Sequence, residues 1–254
     1  MKQLRKLVVL GILACSLPSL ATTITTLDDP SLFDNVAAQP GGSIGDSSWQ
    51  ATSFGTPGAK SFGWVNFDPA SSIMLGDISA VRFDTNKPIS HNSSENDFYL
   101  SLYTQVDGSN DGAGWYGNRL NLDPFYAINI DSTADSWTTW STDGGLNQLR
   151  VYDYPAAGSY TAPTWDELLD PGYSDDGVNS LAEVDYASEK LLGIAFSTGS
   201  AWGDSFVGAL DNIVIEFSNG DSWVFDLEAS SVPEPTSVLL LGAGMLLLRL
   251  GRRS

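Results

Sequence analysis

A period of two in the apolar residues, broken repeatedly by Gly, Pro, Asn and Asp, constrains this chain more than any other feature. In Asp97-Phe98-Tyr99-Leu100-Ser101-Leu102-Tyr103, the residues Phe98, Leu100 and Leu102 share one side of an extended strand. Ile213, Ile215 and Phe217 do the same later. Successive side chains of a strand point to opposite faces, so the pattern reads as half-buried sheet. Strands are predicted at residues 49–54, 61–67, 77–84, 97–105, 115–122, 125–130, 136–141, 146–153, 190–197, 209–217 and 222–227. Short strands at this spacing, with little helix and no visible repeat, imply an all-β fold, a β-sandwich of jelly-roll type. One helix is predicted. Thr164-Trp165-Asp166-Glu167 is a capping box that leads into Leu168-Leu169, and Pro171 ends it. Residues 170–180 then form a long acidic loop, a kind of segment that often binds or moves.

Both ends of the chain are apolar and stand apart from this pattern. Lys2, Arg5 and Lys6 precede an apolar run at 7–17, and Ser19-Leu20-Ala21 is a small-x-small cleavage site, the layout of an export signal. Ile12-Leu13-Ala14-Cys15 loosely resembles a lipoprotein box, but the bulky Leu13 and the continuing apolar run count against it. At the other end, Val232-Pro233-Glu234-Pro235 precedes an apolar run at 236–248 and the basic residues Arg249, Arg252 and Arg253. As a helix this run spans roughly 20 Å at about 1.5 Å per residue, short of the roughly 30 Å hydrocarbon core. The arginines belong on the cytoplasmic side, which leaves the middle of the chain outside. Pro233 and Pro235 keep the approach to the run extended and expose Glu234 to a protease.

Motif, apolar run and basic end, in that order at the C-terminus, resemble the PEP-CTERM sorting signal of envelope-bearing bacteria. The resemblance implies an exosortase as partner, a transient inner-membrane anchor, cleavage near Pro233-Glu234-Pro235, and delivery to the cell surface or beyond. Three parts follow: a signal peptide at 1–21, an ectodomain at 22–228, and a sorting and anchor segment at 229–254.

The ectodomain carries 24 Asp and 6 Glu against Lys60, Lys87, Lys190, Arg82, Arg119 and Arg150, a net charge of −24. Like charge repels nucleic acid and anionic membrane surfaces, which makes both poor partners for this part. Cys15 is the only cysteine and falls in the predicted signal, so disulfides and thiol chemistry are excluded from the mature domain. His91 is the only histidine, which excludes metal sites that need several imidazoles.

Asp107-Gly108-Ser109-Asn110-Asp111-Gly112 sets oxygen side chains at alternate positions before a turn glycine, the start of a calcium loop. Asn118 stands where an EF-hand needs glutamate, so the segment reads either as a calcium loop built between strands or as a plain β-turn. From Thr164 onward the chain resembles a module of exported bacterial surface proteins and sugar-binding jelly rolls. The resemblance rests on the Trp165-Asp166-Glu167-Leu168 helix, Leu192-Gly193-Ile194-Ala195-Phe196, Gly199-Ser200-Ala201-Trp202 and Phe206-Val207-Gly208-Ala209-Leu210-Asp211-Asn212-Ile213. It implies a structural calcium ion with Asp211 as a ligand.

A polysaccharide ligand would use exposed aromatic rings beside polar groups, and Trp115, Tyr116, Trp137, Trp140 and Trp202 are the candidates. Trp137 and Trp140 are three apart, so one is expected in the core and the other on the surface. A glycoside hydrolase reading rests on Glu183, Asp185 and Glu189, which share a face of a straight strand, although jelly-roll glucanases place their third acid sooner. Gly41-Gly42-Ser43-Ile44-Gly45 matches the nucleophile-elbow string by letter but follows Gln39-Pro40 rather than a strand, and is set aside. The sequence thus reads as an exported, non-catalytic binding protein of the envelope or matrix. The alternatives are a structural surface protein and a glycoside hydrolase.

Overall fold

In the computed structural model, which describes residues 21–67, 73–88, 96–105, 119–153, 162–171, 185–199 and 206–229, the alternating segments assemble into two sheets. One has seven strands: β1 (Thr22–Leu27), β2 (Val36–Pro40), β3 (Ser47–Ala51), β5 (Ile78–Asn86), β8 (Trp137–Ser141), β11 (Ala209–Phe217) and β12 (Ser222–Leu227). The other has five, β4 (Phe62–Asn66), β10 (Lys190–Ser197), β6 (Tyr99–Gln105), β7 (Arg119–Leu122) and β9 (Val151–Asp153), in that spatial order.

Strand β11 organises the larger sheet. One of its edges pairs with β5, which pairs in turn with β8. The opposite edge is shared: Ala209 and Leu210 pair with β3, and Ile213 to Glu216 pair with β12. The change of partner falls at Asp211-Asn212. There the register against β5 jumps from Asp211 opposite Asp84 to Val214 opposite Arg82, and Asn212 takes a φ of 49°. Two residues against one is a β-bulge, which bends a strand and re-aims its side chains. Strand β2 flanks β3 antiparallel, whereas β1 flanks β12 in parallel.

Phe83, Leu100, Leu102, Ile194, Phe196, Leu210, Ile213 and Ile215 meet between the sheets and are all but fully buried. Each such side chain contributes about 1.5–3 kcal/mol relative to exposure. Trp49 sits at one end of this core, 5.8 Å from the ring of Phe196 and 5.1 Å from that of Phe33, and its Nε1 donates to the carbonyl of Glu228. Phe98 and Phe206 meet edge to face at 5.6 Å. The predicted capping box forms as read: Thr164 and Glu167 each satisfy the other's backbone N–H at the start of α1 (Trp165–Leu169). The helix plants Trp165 in the core, where its Nε1 donates to the Ile78 carbonyl.

The all-β expectation holds, and 190–197, 209–217 and 222–227 are strands within the predicted bounds. The strand predicted at 125–130 is not one. Asp123 accepts the Phe125 N–H and Pro124 opens a 3-10 turn at Pro124–Tyr126, because a local side-chain bond competes with pairing. Strands β1 and β2 were not expected. The first is exposed and Thr-rich, the second short and ended by Pro40, so neither shows the apolar alternation that marks a strand in sequence.

Candidate functional site

The outer face of the five-stranded sheet carries an aromatic pair on a floor of small and polar residues. A Cβ on Gly63 would lie 2.0 Å from Cζ of buried Phe196, so Gly63 faces the core and its neighbour Trp64 faces out. On the same outer face stand Ala195 opposite Trp64, Ser101 opposite Ala195, and Asn121 opposite Ser101. Tyr103, opposite Gly193, meets Trp64 edge to face at 4.2 Å. Gly193 makes room for this pair: a Cβ there would lie 3.0 Å from Trp64 Cζ2. Ser101 and Asn121 are buried on this face, and Ser101 Oγ donates to Asn121 Oδ1 at 2.6 Å. Tyr103 is buried and Trp64 half-buried, so Trp64 supplies the accessible ring. Neither was among the sequence candidates. The signal was present, since Tyr103 alternates with Leu102, but ring exposure cannot be read from alternation when both faces carry aromatics.

On the larger sheet, Trp137 and Trp140 divide as expected. Trp140 is buried and donates from Nε1 to Thr85 Oγ1, while Trp137 stands half-buried on the other side of β8. The outer face of this sheet also carries a row of carboxylates from three strands, Asp84, Asp211, Asp226 and Glu228, with the Gly41-to-Asp46 segment strapped across it. Asp211 is fully buried under the strap. Its Oδ2 accepts the N–H groups of Ser43 and Ile44, and its Oδ1 those of Asn212 and Leu227. Ser43 Oγ and Asn212 Nδ2 donate to Asp84 Oδ2, and Glu228 accepts from Asp46 N and Ser47 Oγ. Gly45 at φ 63° lets the strap pass: a Cβ there would lie 1.7 Å from Glu228 Oε1. The Gly41-to-Gly45 string, set aside in sequence, is therefore a clamp over β5, β11 and β12.

This geometry corrects the role read for Asp211. A carboxylate offers about four lone-pair directions, and four N–H donors occupy them. The donor set does not fit a calcium ligand, which needs those lone pairs and repels N–H dipoles. Burial pushes the Asp211 carboxyl above the ordinary range, and the four donors hold its ionised form against that push. Among the described residues, no group of three or more His, Cys, Asp or Glu is arranged to hold a metal ion.

Asp185 and Glu189 of the hydrolase reading do not share a strand face. A 3-10 turn at Tyr186–Ser188 separates exposed Asp185 from Glu189, which is buried and accepts from Thr104 Oγ1. Glu183 lies outside the described residues, as do His91, Asp107, Ser109, Asp111, Trp115, Tyr116 and Trp202. The segment with Asp107 through Tyr116 lies in sequence between β6, which ends two residues beyond Tyr103, and β7.

Two further acids titrate unusually. Asp97 is fully buried, accepts from Thr85 Oγ1 and Phe98 N, and lies 3.4 Å from Lys87 Nζ. Burial outweighs the lysine and pushes its carboxyl to about 6. Asp123 is also pushed to about 6, by burial first and then by the charge of Asp97. A folded-state value above the ordinary 3.8 means the folded chain binds more protons between those limits, so stability falls as pH rises from about 4 to about 6. For Asp97 the shift corresponds to about 3 kcal/mol at most, at about 1.4 kcal/mol per pH unit. Denaturation midpoints are expected to drop between pH 4 and pH 7, and Asp97→Asn to flatten the profile; an unchanged slope in that variant would assign the effect to other groups.

Among the described residues no helix is long and apolar enough to cross a membrane, and the apolar run at 236–248 lies outside them, with Pro233, Glu234, Pro235, Arg249, Arg252 and Arg253. Comparison with curated proteins finds no match to the chain. Residues 231–254, which follow β12 within a few residues, match the family model of the PEP-CTERM protein-sorting motif. The chain therefore carries a PEP-CTERM signal, which marks it as an exported protein that passes through the membrane and is sorted by an exosortase.

Proposed function

We propose that the exported sandwich acts as a non-catalytic binding module of the cell surface or extracellular matrix, with a polysaccharide as its ligand. The Trp64–Tyr103 pair on the outer face of the five-stranded sheet carries the reading. A ring of this kind stacks on the C–H face of a sugar, and Trp64 is the partly accessible ring of the pair. Trp115 and Tyr116, which lie in sequence between β6 and β7, are further aromatic candidates for the same ligand. Trp137 on the larger sheet is a second ring of the same chemistry. Calcium enters this reading through the oxygen side chains of Asp107, Ser109 and Asp111.

The test is a pull-down of the purified exported protein on envelope polysaccharides, in calcium and again in excess chelator. Wild type is expected to bind and Trp64→Ala to bind at least tenfold more weakly, since loss of one stacking ring costs on the order of 1.5 kcal/mol. Binding lost on chelation would assign calcium to the 107–111 loop. No binding in either buffer would favour the structural surface protein.

A further inference from the structure

We propose that Lys87 and Asp97 form an intramolecular amide bond, a covalent cross-link between the two sheets that closes by itself once the chain has folded. Lys87 follows the last residue of β5 in the seven-stranded sheet, and Asp97 stands two residues before β6 in the five-stranded one. Their side chains meet, with Nζ 3.4 Å from Oδ2. Nζ also donates to the Asn96 carbonyl at 2.7 Å, which pins the tip of the lysine beside the carboxyl group. Little of the pair reaches solvent: 15% of the lysine side chain is exposed and 1% of the aspartate's.

Two charges withdrawn from water this far lose hydration that their attraction repays only with good geometry. The separation here is longer than the roughly 2.7–2.9 Å of a charge-assisted hydrogen bond. It falls within the roughly 3–3.5 Å at which groups held together react, and such holding removes most of the entropic barrier to a step between them. The carboxyl is held for attack as well. Phe98 N donates to Oδ1 at 2.8 Å and Thr85 Oγ1 to Oδ2 at 2.9 Å, so each oxygen faces a donor. Trp140 Nε1 donates in turn to Thr85 Oγ1 at 2.8 Å, which leaves the proton of that hydroxyl for Asp97.

The pair holds every atom that the step needs. Transfer of one proton from the ammonium to Oδ2 gives an amine and a carboxylic acid, and burial favours neutral forms. Burial already pushes the Asp97 carboxyl to about 6. The Nζ lone pair adds to Cγ, and the negative charge that develops on Oδ1 falls on the Phe98 N–H. A second proton then passes from Nζ to the departing oxygen, the bond from Cγ to Oδ2 breaks, and Oδ2 leaves as water. Nitrogen keeps one proton as the amide N–H, and no oxidant, reductant or co-reactant is consumed. Residues 22–228 contain no cysteine, so a disulfide cannot make this link. Once bonded, Asp97 no longer titrates, so its pH slope belongs to chains not yet bonded and Asp123 supplies what remains.

Peptide masses from the denatured, purified exported protein test this directly. Trypsin does not cut between Lys87 and Pro88, so it releases residues 83–119 as one peptide. In the wild type this peptide is expected to be lighter than its sequence mass by one water. Glu95 is its only glutamate, and a glutamate-specific cut there is expected to leave 83–95 and 96–119 joined. Lys87→Arg keeps the positive charge without the amine, and its peptide is expected to have full mass and to fall into two pieces. A wild-type peptide of full mass would overturn the proposal and leave a buried ion pair. Loss of water from 96–119 alone, with the two pieces separate, would overturn it too, because Asp107-Gly108 or Asp111-Gly112 can close to a cyclic imide.

Discussion

Asp211→Ala is expected to destabilise the ectodomain by about 4 kcal/mol or more, most of the margin of a typical domain. Removal of the carboxylate strands four N–H groups at once, those of Ser43, Ile44, Asn212 and Leu227. Each buried donor left unpaired costs about 1–3 kcal/mol. The two strand donors cannot turn to water without opening the bulge, whereas the two strap donors can. Asp211→Asn is expected to fall between alanine and wild type, because its amide keeps one acceptor and turns an NH2 toward the remaining donors. Urea denaturation with an unchanged slope would measure both. A loss below about 1 kcal/mol in the alanine variant would mean that water replaces the carboxylate and that the strap is not an anchor.

Glu234→Ala is expected to abolish sorting without touching the fold. The matched motif begins at residue 231, beyond the last residue of β12, so the substitution leaves the sandwich intact. Intact mass of the exported wild type is expected to show loss of residues 1–21 and of the tail beyond Pro233-Glu234-Pro235. The variant is expected to keep its tail, and with it Arg249, Arg252 and Arg253, and to remain in the membrane fraction. A wild-type protein that keeps Arg253 would refute processing and leave a plain C-terminal anchor. Stability of the ectodomain should be the same in both, which separates this effect from that of Asp211.

Legibility followed physical range. The period of two in Phe98-Leu100-Leu102 and in Ile213-Ile215 survived folding because burial of alternate side chains is what holds a sheet against its neighbour. The Thr164 capping box was legible for a similar reason, since all its bonds lie within four residues. Strand β1 escaped notice because its pairing energy comes from the backbone of β12, some 200 residues away. The 125–130 segment misled because its apolar residues look like a strand while Asp123 and Pro124 turn the backbone.

The candidate site divides along the same line. Spacing alone separated Trp137 from Trp140, as geometry on one strand must. It could not bring Trp64 to Tyr103, because β4 and β6 lie on either side of β10 and meet only across the bare backbone of Gly193.

By itself, then, the sequence determined where the protein goes and what class of fold it adopts. Export, sorting and strand alternation are read locally, from runs of charge and apolarity that act on the membrane or on adjacent residues. Tertiary structure decided which polar groups became partners. It turned Asp211 from an expected cation ligand into an acceptor for four backbone donors, and the Gly41-to-Gly45 string into the clamp that supplies two of them. A carboxylate's role depends on which donors the folded chain brings to it, and those donors lie up to 168 residues away.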